Sequence, residues 1–118
     1  MATHPFQIHN TTGTQSLLFI HGFPDTAAVF DGMVARCVAQ GYRCTTCTMP
    51  YYSKETTEGH PYFGYTMDGI ADLLHGIIVA SRQNDEDIPV IVAHDFGAVY
   101  ATWLCHKYNI RTLHVPSS

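Results

Sequence analysis

Charge is scarce in this sequence. Only 14% of its 118 residues are Asp, Glu, Lys or Arg, the formal net charge is -4, and the six Lys and Arg residues never form a run. With no basic patch there is nothing to neutralise phosphates or anionic lipid, so neither nucleic acid nor a membrane surface is expected as a partner. Long hydrophobic runs are missing too. The longest uncharged apolar stretches fall far short of the ~20 residues that a bilayer span requires. The opening MATHPFQIHN lacks the basic-then-apolar order of an export signal, so the expected location is cytoplasmic. Cysteines are few, four in all, which suits that location. Cys44 and Cys47 form a CxxC, yet no second pair stands at finger-like spacing. The CxxC also lies in RCTTCTM, a stretch that reads as a strand, where positions three apart point to opposite faces. No metal and no cofactor is therefore expected, and Cys37 and Cys105 read as small core residues.

What is present is a core. Hydrophobic residues make up 46% of the chain, too many for disorder, and the length suits one folding unit spanning 1–118. The pattern alternates between strand and helix. Ser16 to Ile20 is a continuous apolar run, as in a strand buried on both faces. Phe30, Met33, Val34, Cys37 and Val38 recur at helical spacing up to Gly41, a good terminator. Arg43 to Met49 reads as a second strand, and residues 50–65, rich in Pro, Gly and Tyr, read as a loop. Thr66 is the expected N-cap of a second helix whose apolar face is Met67, Ile70, Ala71, Leu74, Ile77 and Ile78. A strand over Ile88 to Ala93, a helix from Gly97 to Tyr108 stopped by Asn109, and a further strand over Arg111 to Val115 complete the series. Such alternation predicts an α/β fold, with a mostly parallel sheet covered by helices on both faces.

In sheets of this kind chemistry gathers at the carboxyl ends of the strands, where loops emerge side by side and helix N-termini face the same crevice. Two strand ends here carry unusual residues. One is HGFPD, His21 to Asp25. The other is AHDFG, Ala93 to Gly97, which places Asp95 on a strand-to-helix turn with a small residue two positions to either side. That spacing has the form of a nucleophile elbow, with Asp where a serine hydrolase carries Ser. Small flanking residues are what let strand and helix approach closely at so sharp a turn.

Together the two motifs resemble the α/β-hydrolase superfamily, within it the epoxide hydrolase and haloalkane dehalogenase branch, over about Leu17 to Val115. HGFPD is similar to the branch's HGxP loop and AHDFGA to its Asp-bearing elbow. The resemblance implies that Asp95 is a nucleophile that opens a small hydrophobic epoxide to an alkyl ester, which water then cleaves. It further implies that the backbone N–H groups of Phe23 and Phe96 receive the oxyanion of the second step. His21, Gly22, Pro24, His94 and Gly97 would shape the two turns.

Blander readings exist for the same residues. Asp95 is a good helix N-cap, His21 and His94 suit structural bracing, and Tyr51, Tyr52, Tyr62 and Tyr65 suit loop packing. The resemblance is also partial. In relatives an acid, a general-base His and a helical cap follow the nucleophile, whereas here only 23 residues follow Asp95, none of them Asp or Glu. His106 stands 11 residues on, roughly 16 Å along a helix, and His114 has no acid after it. The expectation is the N-terminal part of one hydrolase domain, inactive or limited to a single turnover, with an exposed sheet edge available for association. The alternatives are a non-catalytic module of the same fold and a dehalogenase-like hydrolase.

Overall fold

The computed structural model describes residues 6–21, 30–47, 67–94 and 96–114. Its elements follow the expected alternation: β1 (Phe6–His9), β2 (Gln15–Ile20), α1 (Asp31–Ala39), β3 (Tyr42–Cys47), α2 (Met67–Ser81), β4 (Val90–Ala93), α3 (Phe96–Tyr108) and β5 (Leu113–His114). The strands form one sheet in the order β1-β3-β2-β4-β5, parallel except for β1, which pairs antiparallel with β3. The sequence reading missed β1. FQIH is a half-buried edge strand, so it carries no continuous apolar run to announce it.

Alternation along the central strands sorts side chains onto two faces. Leu18 and Ile20 of β2 and Ile91 and Ala93 of β4 meet Ile70, Leu74 and Ile77 of α2 and Ala101 and Leu104 of α3 in the larger core cluster. Leu17, Phe19 and Val92 face the other way, toward Phe30 and Val34 at α1, with the Phe19 and Phe30 rings 5.1 Å apart. Among the described residues, one helix thus covers one face and two cover the other. Cys44 falls in the α1 cluster and Cys47 in the α2–α3 cluster, so the CxxC sulfurs diverge as strand geometry predicts.

The expected helix stops hold. Gly41 follows α1 with φ +93° and Asn109 follows α3 with φ 56°, both in the left-handed region. Beyond Asn109, the Ile110 N–H donates to the Cys105 carbonyl at 2.9 Å and closes the helix end. The strand ends are shorter than expected: β4 opens at Val90, because Ile88 is largely exposed before Pro89. The proposed N-cap Thr66, the loop tyrosines, Met49 and Val115 lie outside the described residues.

One buried charge joins three segments. Arg43, inside β3, is only 8% exposed; its guanidinium donates to the carbonyls of Thr11 at 2.5 Å and Ser81 at 2.6 Å. The second bond caps the carboxyl end of α2, where a cation also opposes the negative end of the helix dipole. Beside it, Gly13 packs so closely on β3 that an added Cβ would stand 2.4 Å from the Arg43 backbone nitrogen.

Candidate active site

The two motif-bearing strand ends are neighbours. Ile20 pairs with Ala93 in the parallel register of β2 and β4, and one residue further the His94 N–H donates to the Ile20 carbonyl at 3.1 Å. The stretches beginning at His21 and at His94 therefore leave the sheet side by side at its carboxyl edge. Immediately afterwards the chain reverses: the Gly97 N–H donates to the His94 carbonyl at 2.9 Å, and α3 has begun by Phe96.

Gly97 shows how tight this turn is. A Cβ there would lie 2.3 Å from the Ile20 carbonyl oxygen, 2.7 Å from that of His21 and 2.9 Å from the His21 carbonyl carbon. All three are backbone atoms at the end of the neighbouring strand, so no side-chain rotation could relieve the clash. Only glycine lets the first turn of α3 rest against the end of β2. The alternation of small residues read from AHDFG thus has a concrete basis at its last position. His21 is fully buried at the same contact and His94 half-buried. Of the remaining site residues, Gly22, Phe23, Pro24 and Asp95 lie outside the described residues, and Phe96 is described in its backbone alone.

The electrostatics of the turn favour an anion. The first turn of α3 contains no acidic residue, so no side-chain charge within that turn offsets the positive end of the helix dipole. The buried cysteines Cys44 and Cys47 offer no competing nucleophile. Burial pushes the Cys47 thiol up to about 12 and, with Cys37 alongside, the Cys44 thiol up to about 11; the thiolate that does nucleophilic chemistry is scarce at neutral pH. Among the described residues no group of three or more His, Cys, Asp and Glu side chains is placed to hold a metal ion. None of the described helices is long and apolar enough to cross a membrane.

A family model described as the alpha/beta hydrolase fold matches residues 15–117. The chain belongs to the alpha/beta hydrolase fold family. Among known proteins it is similar to an epoxide hydrolase of Caballeronia sordidicola, 27% identical over 103 residues that cover 86% of this chain and 30% of the relative. An epoxide hydrolase of Vigna radiata has a similar structure, with a TM-score of 0.75 at 19% identity over 93% of this chain and 34% of its own. A Mycobacterium tuberculosis protein named as a non-heme bromoperoxidase aligns with a TM-score of 0.79 at 18% identity, covering 97% and 40%. The chain spans about a third of the length of these relatives. The likeness in structure carries the fold, which hosts more than one chemistry; the activity must be argued from the site.

Proposed function

We propose that the strand-to-helix turn is the nucleophile elbow of an epoxide-hydrolase-like site, with Asp95 as nucleophile and the backbone N–H groups of Phe23 and Phe96 as its oxyanion donors. The observation that carries this reading is the seating of Gly97 on the Ile20 and His21 carbonyls, since it joins the Asp-bearing turn to the strand end from which HGFPD departs. An N-cap role for Asp95 would need no such contact. In the reaction a carboxylate oxygen attacks an epoxide carbon, the ring C–O bond breaks, and the ring oxygen takes up a proton to leave a hydroxyalkyl ester. Attack by water at the ester's carboxyl carbon then places negative charge on an oxygen that the two N–H groups would stabilise.

The two steps make different demands. A carboxylate is ionised at neutral pH and attacks unaided, whereas ester hydrolysis needs a general base to activate water. His106 and His114 are the sole histidines after Asp95 and no carboxylate follows it; both are exposed, near the far end of α3 and on the sheet edge. The 118-residue chain is therefore expected to be alkylated once and not to turn over. Intact-mass measurement after incubation with styrene oxide tests this: one adduct per chain, absent in Asp95→Asn, supports the reading, and steady diol production by the purified chain overturns it. Displacement of halide by the same carboxylate is the nearest variant, read by running a haloalkane in parallel.

A second reading, a non-catalytic module that acts by association, draws on a different feature. An apolar groove of about 530 Å³ opens beside α1, lined in part by Leu17, Phe19, Val90 and Val92, and β5 beside it is exposed. An apolar groove of this kind beside an exposed strand offers a surface for a partner. Sedimentation of the purified chain separates the two: self-association that Val92→Lys abolishes favours the module.

A further inference from the structure

We infer that Phe30 is a positioning residue for the oxyanion donor on Phe23. The inference rests on the elbow reading given above, since it concerns how one of the two N–H groups is held. Phe19 of β2 and Val92 of β4 face each other as one rung of the parallel register. That rung lies just inside the sheet from the two motifs, two residues before His21 and three before Asp95. Both side chains turn toward α1 and share the smaller core cluster with Phe30. There the Phe30 ring packs on that of Phe19, with centroids 5.1 Å apart and planes inclined by 55°; Phe30 is only 3% exposed.

Phe30 also stands where the chain comes back. β2 ends at Ile20, HGFPD departs after it, and Phe30 is the N-cap of α1. Phenylalanine offers the first helical turn no side-chain acceptor, so capping does not account for it there. Burial of its ring on Phe19 does. At the departing end the Ile20 and His21 carbonyls are held against Gly97; at the returning end the Phe30 ring grips the same strand. The span that carries Phe23 is thereby anchored at both ends to β2. An oxyanion donor works only at hydrogen-bond distance from the forming charge, and a misplacement of about 1 Å can cost about 10²-fold in rate. The donor serves the tetrahedral adduct of the second step, so a shifted anchor slows release of the ester more than its formation.

Hydroxylamine reads the second step without a general base. It attacks the carboxyl carbon of the styrene oxide ester; a C–N bond forms, the acyl C–O bond breaks, and the diol leaves with a proton from nitrogen, so Asp95 remains as a hydroxamate. Intact mass follows both steps in the full chain, first capture of the epoxide and then replacement of the adduct. Phe30→Leu and Phe30→Met keep most of the buried volume, and with it the fold. Both should capture within about twofold of the native rate and release about tenfold more slowly. Val34→Ala, which loosens the same cluster one turn along α1, should release at the native rate or faster. Mere loosening admits hydroxylamine more readily, so the direction of the change separates positioning from general stability. Release by both Phe30 variants at or above the native rate, or equal slowing in Val34→Ala, would overturn the inference while leaving the nucleophile in place. No adduct on Asp95 in the native chain would overturn the elbow reading and the inference together.

Discussion

Substituting alanine for Gly97 asks the turn to accept a single methyl group, and the structure says that it has no room. The new Cβ would stand 2.3 Å from the Ile20 carbonyl oxygen, so the start of α3 must retreat by about an ångström to reach ordinary contact. That retreat also stretches the Gly97 to His94 hydrogen bond, now 2.9 Å. Overpacking against a fixed backbone costs about 1–3 kcal/mol, and three simultaneous contacts with strand backbone place Gly97→Ala near the upper end, about 3 kcal/mol. Gly76, inside α2, is the matched control. An added Cβ there meets nothing within 4 Å, so Gly76→Ala should stabilise by about 0.5–1 kcal/mol through helix propensity alone. Urea unfolding followed by circular dichroism reads both. With a slope of about 1.5 kcal/mol per molar, Gly97→Ala should lower the midpoint by about 2 M, and Gly76→Ala should raise it by about half a molar. Equal or greater stability of Gly97→Ala would refute the packing argument, and with it the physical basis given for the turn.

Two further outcomes follow from the charged groups. Arg43→Met keeps the volume but leaves the Thr11 and Ser81 carbonyls without their donor; bonds to a charged group contribute about 1.5–3 kcal/mol, so thermal unfolding should show a loss of about 3 kcal/mol, while Arg43→Lys, one point donor in place of a fork, should recover part of it. On the far side, Asp72 of α2 accepts from Lys107 at 2.8 Å and from the Tyr108 hydroxyl, both of α3, and these bonds hold its carboxyl below the ordinary value of 3.8. A depressed folded-state value contributes stability above that ordinary value and loses it as pH falls through the folded one. The difference in melting temperature between the native chain and Asp72→Asn should therefore be constant near neutrality and shrink toward zero on acidification below 3.8; a difference that grows in acid would contradict the assignment.

Much of this was legible in the residues themselves, for reasons that differ by element. Continuous apolar runs mark β2 and β4 because both of their faces are covered, and Gly41 and Asn109 mark helix ends because they tolerate the left-handed region that such ends require. The odd spacing of Cys44 and Cys47 told that their sulfurs part. What escaped was set by tertiary contact. β1 shows no pattern because it is a half-buried edge. Arg43, a charge within a strand, reads as exposed until the Thr11 and Ser81 carbonyls are brought to it from 32 and 38 residues away in sequence. At the site, the spacing of AHDFG announced a tight turn, but which backbone atoms make Gly97 obligatory depends on the pairing of β2 with β4, which no local pattern encodes.

The claim that Asp95 is a nucleophile is tested most directly by locating the ester. Trypsin releases residues 83–107 as one peptide, which holds Asp95 together with Asp85, Glu86 and Asp87; the Asp85 side chain is 97% exposed and serves as an internal control for indiscriminate alkylation. After incubation with styrene oxide, fragmentation of that peptide should place a hydroxylamine-labile adduct on Asp95 and leave the other three carboxylates unmodified. An adduct spread over Asp85 and Glu86, or one that survives unchanged in Asp95→Asn, would contradict the account.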